Sequence, residues 1–189
     1  MAKGAVLRKV ETPGPAVEAA GPLRLDIGCG KTKMDGWEGI DAIDFGQKHI
    51  HDVRNGLPWV DDASVDEVRS SHFVEHLTGA ERVAFFNELH RVMKPKATAL
   101  IVTPNWSHAC AYGDPTHQWP PMSQWYPLYL NKDWREVNAP HAPYTCDFDH
   151  VVAGSWDAQL ESRNAEHKQF AMSSYTNAWR DLIVTLTKK

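Results

Sequence analysis

Apolar and polar residues alternate from Leu23 to Ile27, with Leu23, Leu25 and Ile27 set against Arg24 and Asp26, which predicts a strand. Gly28-Cys29-Gly30 ends it abruptly, and two glycines there allow positive φ and the close approach of a ligand to backbone. A second short strand is expected over Glu38 to Ile43 and a third over His49 to Val53. After the turn-rich Arg54-Asn55-Gly56-Leu57-Pro58-Trp59, Val65 to Ser70 reads as a fourth. Thr78-Gly79-Ala80-Glu81 is a capping box that predicts a helix start. Val83, Phe86, Leu89, His90 and Met93 give that helix an apolar stripe, Lys94 places positive charge at its end, and Pro95 stops it. Ala97 to Thr103 is apolar and β-branched, as a buried fifth strand would be. Phe148 to Ala153 predicts a sixth strand, Ala158 to Tyr175 a helix, and Asp181 to Thr187 a last, alternating strand.

Strands interleaved with helices indicate an α/β fold with a largely parallel sheet. Asp26 to Gly30, Asp41, Asp52 and Ser70 to His72 all fall at C-terminal strand ends, where such sheets bind ligands. Strand, glycine turn, strand and terminal acid suit a nucleoside: backbone against the ligand, a carboxylate on the ribose hydroxyls. Lys31-Thr32-Lys33 follows the second glycine, so the dinucleotide fingerprint with its third glycine is absent.

Composition changes along the chain. Residues 1–22 hold three prolines and three glycines and read as an N-terminal arm, with a single domain from 23 to 189. Pro104 to Cys146 carries seven of the twelve prolines and eight of the nineteen Phe, Trp and Tyr residues, marking an insertion of the kind that serves as a lid or binding loop. Three cysteines, Cys29, Cys110 and Cys146, lack CxxC spacing and argue against a disulfide framework, so a reduced, cytoplasmic protein is expected. No apolar run approaches a membrane span, and no apolar segment follows Lys3, Arg8 and Lys9 as a secretory signal would require. A net charge of −4 gives no electrostatic footprint for duplex nucleic acid, although a local basic patch can hide in a neutral total. Nothing in the sequence specifies an oligomeric state.

The set Leu25-Asp26-Ile27-Gly28-Cys29-Gly30, Gly36-Trp37-Glu38-Gly39-Ile40-Asp41, His51-Asp52-Val53, Leu57-Pro58-Trp59, Ser64-Val65-Asp66-Glu67-Val68, Ser71-His72-Phe73-Val74-Glu75-His76-Leu77 and Glu88-Leu89-His90-Arg91-Val92-Met93-Lys94-Pro95 resembles the class I S-adenosylmethionine-dependent methyltransferases, in their small stand-alone, type 11-like branch. The resemblance covers residues 23 to about 105 closely and the final helix and strand by architecture. It implies a Rossmann-like three-layer sandwich on a mostly parallel seven-stranded sheet whose last strand is antiparallel. It implies S-adenosyl-L-methionine as cofactor and S-adenosyl-L-homocysteine as product. Gly28, Cys29 and Gly30 would then face the methionine part and ribose, with Asp26 beneath the turn orienting the amino group. Asp41, beside Ala42, would accept from the ribose hydroxyls, and Asp52 from the adenine amino group with Val53 along the ring. Ser71 and His72 would border the methionine end. Two departures stand out: only ten residues separate Gly30 from Asp41, leaving room for a turn and not a full helix, and Lys96-Ala97 replaces a common Gly-Gly.

Other motifs compete with this reading. His72-Phe73-Val74-Glu75-His76 matches the HxxEH of inverted zinc peptidases, but the space between a strand and the Thr78 cap is too short for a helix bearing it. His108, Cys110, Asp114, His117, His141, Cys146 and His150 are metal-competent types whose spacings fit no standard finger or ribbon, so no metal site is expected. Asp114-Pro115-Thr116-His117 invites comparison with the Asp-Pro-Pro-Tyr motif of DNA amino-methylating enzymes, yet it stands after the wrong strand and lacks the aromatic stack. Trp106, Tyr112, Trp119, Trp125, Tyr126 and Trp134 suit either a flat substrate or the satellite core of a long loop, and the core is the expectation for most.

The expected function is therefore methyl transfer to a small molecule or nucleobase held by the 104–146 segment. Asp114, His117, His72 and Tyr112 are the candidates for positioning the acceptor or taking its proton. The alternatives are a catalytically silent S-adenosylmethionine-binding sensor or partner subunit and, as a minor one, a zinc-dependent hydrolase.

Overall fold

The protein is seen in a computed structural model that describes residues 21–189; the expected arm lies almost wholly outside them. Seven strands form one sheet: β1 (Arg24–Ile27), β2 (Glu38–Asp41), β3 (His49–Ile50), β4 (Val65–Ser71), β5 (Met93–Pro104), β6 (Phe148–Trp156) and β7 (Trp179–Lys188). Their order is β3-β2-β1-β4-β5-β7-β6. The first five are parallel, and β7 runs antiparallel between β5 and β6, as expected. The order reverses at β1, where β2 leaves on one side and β4 on the other. That switch point leaves a crevice above the glycine turn.

The capping box forms as read: Thr78 Oγ1 accepts from Glu81 N, Glu81 accepts from Thr78 N, and α1 (Gly79–Val92) follows. The buried face of α1 is Arg82, Phe85, Phe86, Leu89 and Val92, with Val83 only half-buried. A stripe counted from apolar residues passes over a buried arginine, and Arg82 is what shifted the face. Phe86 is fully buried against Tyr126 and Tyr144, a position whose truncation costs about 3–5 kcal/mol in a close-packed core.

Other boundaries differ for local reasons. The chain enters β5 at Met93, so Lys94 and Pro95 lie in a strand and not at a helix end. Lys96 sits at φ +68°, the left-handed backbone that the expected glycine would adopt freely and a lysine adopts at a cost of about 1 kcal/mol. The third strand stops at Ile50, because Asp52 caps a 3₁₀ turn over Val53–Asn55 through Arg54 N. The long helix near the C-terminus divides into α4 (Ala158–Glu161) and α5 (Ala165–Ser174), since Asn164 accepts from His167 N and starts a new helix. In β6, the space beside Gly154 is filled by the Trp179 indole, 1.1 Å from where a Cβ would stand, so only glycine fits. Between β5 and β6 the chain forms α2 (Cys110–Gly113), a 3₁₀ turn over Tyr126–Leu130, and α3 (Lys132–Asn138).

Candidate functional site

The glycine turn is built from backbone. Gly28 N and Cys29 N both donate to Ile40 O, at 2.9 and 3.3 Å, which ties the turn to β2. Gly28 has φ +68°, and a Cβ there would lie 2.6 Å from Phe73, so Phe73 seats directly on the turn. Gly30 has φ +52° with open space where its Cβ would be. Cys29 is buried, its Sγ against Gly39. Asp41 holds the turn from β2: its Oδ2 accepts from Gly30 N at 2.9 Å and its Oδ1 from Ile43 N at 2.9 Å. No helix intervenes between β1 and β2, which matches the short spacing read from the sequence.

Gly28, Asp41, Ala42, Asp52, Val53 and Phe73 share one cleft of about 70 Å³. Asp26 lines a different one, of about 140 Å³, with Lys33, Trp37 and Gln47. Asp26 is buried; its Oδ1 accepts from Arg69 Nη1 at 2.8 Å, while Oδ2 is buried with no partner. Burial pushes its carboxyl up, and Arg69 only partly offsets that. Both Asp52 oxygens are engaged by Arg54, which holds its carboxyl below the usual carboxylate range. Ser71 ends β4, half-buried, and His72 follows at φ +55° with its N–H donating to Val102 O. His72 Nδ1 lies 3.3 Å from Glu75 Oε1 and Nε2 3.9 Å from Asp181 Oδ1; the contact with Glu75 draws its pKa up.

Tyr112, Asp114 and His117 line a third cleft, of about 210 Å³, and His72 does not share it. Asp114 is exposed and accepts from Thr116 N and Thr116 Oγ1, at 2.8 and 2.7 Å, which holds its carboxyl low. Tyr112 is exposed and His117 is half-buried. Of the aromatic residues in this segment, Trp106, Tyr112, Trp119 and Trp125 are exposed, Trp119 at 78%, and Tyr126 packs on the core. The core reading therefore holds for Tyr126 and fails for these four.

Three contributors escaped the sequence reading. Arg69 pairs with Asp26 from the adjacent strand, Phe73 packs on Gly28, and Arg82 reaches from α1 into the insertion. Arg82 donates to Val74 O, Glu75 O, Gln118 O and Pro120 O, and burial lowers its pKa. A charged residue on the apolar side of the α1 pattern was the available signal.

The residues present fit a ribose-bearing cofactor with a charged amino group. Asp41 faces a cleft beside an open glycine, and Asp26, which lines the other cleft, keeps one buried oxygen without a hydrogen-bond partner. Residues 33–101 match the sequence family described as methyltransferase domain. No curated protein matches the chain. The fold is similar to the crystal structure of an S-adenosylmethionine-dependent methyltransferase from Archaeoglobus fulgidus, with a TM-score of 0.63 and 21% identity over 89% of this chain and 87% of that one. Corresponding enzymes from Methanosarcina mazei, 17% identical over 87% of this chain and 91% of that one, and Mesorhizobium loti, 15% identical over 89% and 91%, each superpose with a TM-score of 0.51. Residues 33–101 thus carry the methyltransferase-domain match, and the chain as a whole has the seven-stranded, mostly parallel Rossmann-like fold of these structures, with an acid-bearing glycine turn at its switch point.

Proposed function

We propose that the chain methylates a small molecule or nucleobase held by the 104–146 segment over the sheet edge, in a reducing, cytoplasmic setting. The observation that carries this reading is the placement of Tyr112, Asp114 and His117 around one cleft. S-adenosylmethionine, when bound, supplies an electrophilic methyl group on a sulfonium. Gly28 to Gly30 offer backbone to its methionine and ribose, and Asp41 accepts from the ribose hydroxyls. Asp26 takes the amino group on its free oxygen, and Asp52 with Val53 borders the adenine, Asp52 sharing its oxygens with Arg54. Ser71 and His72 close the methionine end.

The protein's task is alignment, because in-line displacement at a methyl group needs no covalent help from the enzyme. His117 is the candidate to take an acceptor proton, and Asp114 and Tyr112 to orient the acceptor. The exposed faces of Trp106, Trp119 and Trp125 provide stacking area for a flat acceptor. Three free cysteines, two of them buried, accord with a reducing compartment. Among the described residues no helix is long and apolar enough to cross a membrane.

The test is calorimetry with S-adenosylmethionine and S-adenosylhomocysteine, followed by transfer of a radiolabelled methyl group to a panel of small hydroxyl, amine, thiol and nucleobase acceptors. Binding of both cofactor forms with label incorporated into one acceptor class is expected. Binding without incorporation into any acceptor would favour the silent-binder alternative.

A further inference from the structure

Three side chains that the cofactor does not use converge where the insertion meets the turn after β4. Glu75 sits in the 3₁₀ turn Val74–His76, only 4% exposed, and neither carboxylate oxygen has a hydrogen-bond partner. The His72 imidazole stands 3.3 Å from Oε1 but is not aligned for a hydrogen bond. A buried carboxylate left in that condition is costly unless a cation completes it.

Two imidazoles face it. One ligand atom each from Glu75, His76 and His117 lie within 4.8 Å of one another. Their outer hydrogen bonds fix which ring nitrogen is free. Thr116 Oγ1 gives its proton to Asp114 Oδ1 at 2.7 Å, so it accepts from His76 Nδ1 at 2.9 Å. His117 Nδ1 lies 3.2 Å from Ala111 O, a carbonyl that only accepts. Both rings therefore carry the proton on Nδ1 and keep a lone pair on Nε2. An outer hydrogen bond that sets tautomer and ring orientation is the supporting arrangement of metal-binding histidines.

We propose that Glu75, His76 and His117 bind a divalent transition-metal ion, zinc by ligand class, with a coordination position left open. Two imidazoles and a carboxylate form a three-ligand set of the catalytic type. Tetrahedral bonds of ~2.0–2.2 Å require ligand atoms about 3.4 Å apart, so binding draws the three groups together by roughly 1 Å. The site uses half of the HxxEH motif: Glu75 and His76 belong to it, His72 does not, and His117 comes from the Asp-Pro-Thr-His turn 41 residues after His76 in the chain. His117 also lines the acceptor cleft, so an ion here would stand beside the acceptor and lower the pKa of a bound thiol or hydroxyl. An ion here would occupy the His117 lone pair, so in the loaded protein its polarising charge would replace proton removal by His117; binding itself is tested without cofactor.

Protein stripped with a chelator and titrated with Co²⁺ alone is expected to take up one equivalent, with visible d–d absorption of a low-coordinate site. Glu75→Gln, which preserves shape, and His117→Ala are each expected to abolish the band. Thr116→Val, which leaves all three ligands in place, is expected to weaken binding about 10-fold or more. His141→Ala, remote in the sequence and outside the triad, is expected to bind as wild type. Circular dichroism melts confirm that each variant is folded, and Glu75→Gln decides the matter if His117→Ala is not. Sub-stoichiometric uptake by wild type, or wild-type uptake by folded Glu75→Gln, overturns the proposal. Loss of the band in His72→Asn with retention in His117→Ala overturns the assignment of ligands.

Discussion

The glycine turn after β1 and the 104–146 segment are held in opposite ways. The turn is fixed by its neighbours in the sheet, through backbone donors to Ile40 O and one carboxylate from the next strand. The segment is pinned from a distance by α1: Arg82 grips carbonyls at 118 and 120, and Asn87 Oδ1 accepts from Thr145 N and Cys146 N at 2.9 and 3.1 Å. One region is a consequence of strand pairing, and the other depends on a few side chains that need the helix in place first. A loop held by such pins can change its surface residues while the cofactor edge stays as it is.

The sharpest way to break this contrast is Arg82→Leu. It removes four hydrogen bonds, leaving Gln118 O and Pro120 O without a donor, and is expected to cost about 3 kcal/mol in chemical denaturation, with new proteolytic cuts confined to 104–146. Wild-type protease resistance in that variant would mean that the segment does not depend on the arginine. Asp41→Ala is the counterpart on the cofactor edge. Loss of a charge-assisted hydrogen-bonding group predicts roughly 10–100-fold weaker S-adenosylmethionine binding by calorimetry, with the protease pattern of the segment unaltered. Asn87→Ala, which frees two backbone donors, is expected to cost about 1–2 kcal/mol and to loosen only the 145–146 end, as read by hydrogen exchange.

Acidification separates the regions again. The Asp26 carboxyl is raised by burial, so on lowering the pH it becomes protonated before an ordinary aspartate and, in the role proposed for it, would cease to accept from a cofactor ammonium. S-adenosylmethionine affinity should therefore fall already above pH 3.8, and Asp26→Asn should bind weakly with that pH dependence removed. The smallest effect belongs to Trp119→Ala. With 78% of the residue exposed, stability should move by less than about 0.5 kcal/mol, while the apparent KM for the acceptor rises.

The same contrast decides what could be read from the sequence. Alternation exposed β1, and the capping box exposed the start of α1, because both signals are local. Asp41 was legible since it ends a strand beside a glycine turn. The split at Asn164 had a local signal too, an Asn ahead of Ala165-Glu166, which the longer helical stretch obscured. The meeting of Glu75 with His117 had none. Those residues lie 42 apart in sequence and come together only because the insertion folds back, with Gln118 N donating to Glu75 O at 2.8 Å. Arg82 left a mark in the α1 pattern, but its partners were illegible for a different reason: they are carbonyls, which no residue pattern displays.

Arg82 has one more consequence, for exchange of parts between related enzymes. A chimaera that transplants residues 104–146 onto another sheet carries over the surface proposed to face the acceptor but leaves behind the guanidinium that ties it down. The transplant would be portable only as a pair, the segment together with an arginine one helical turn into the host's first long helix.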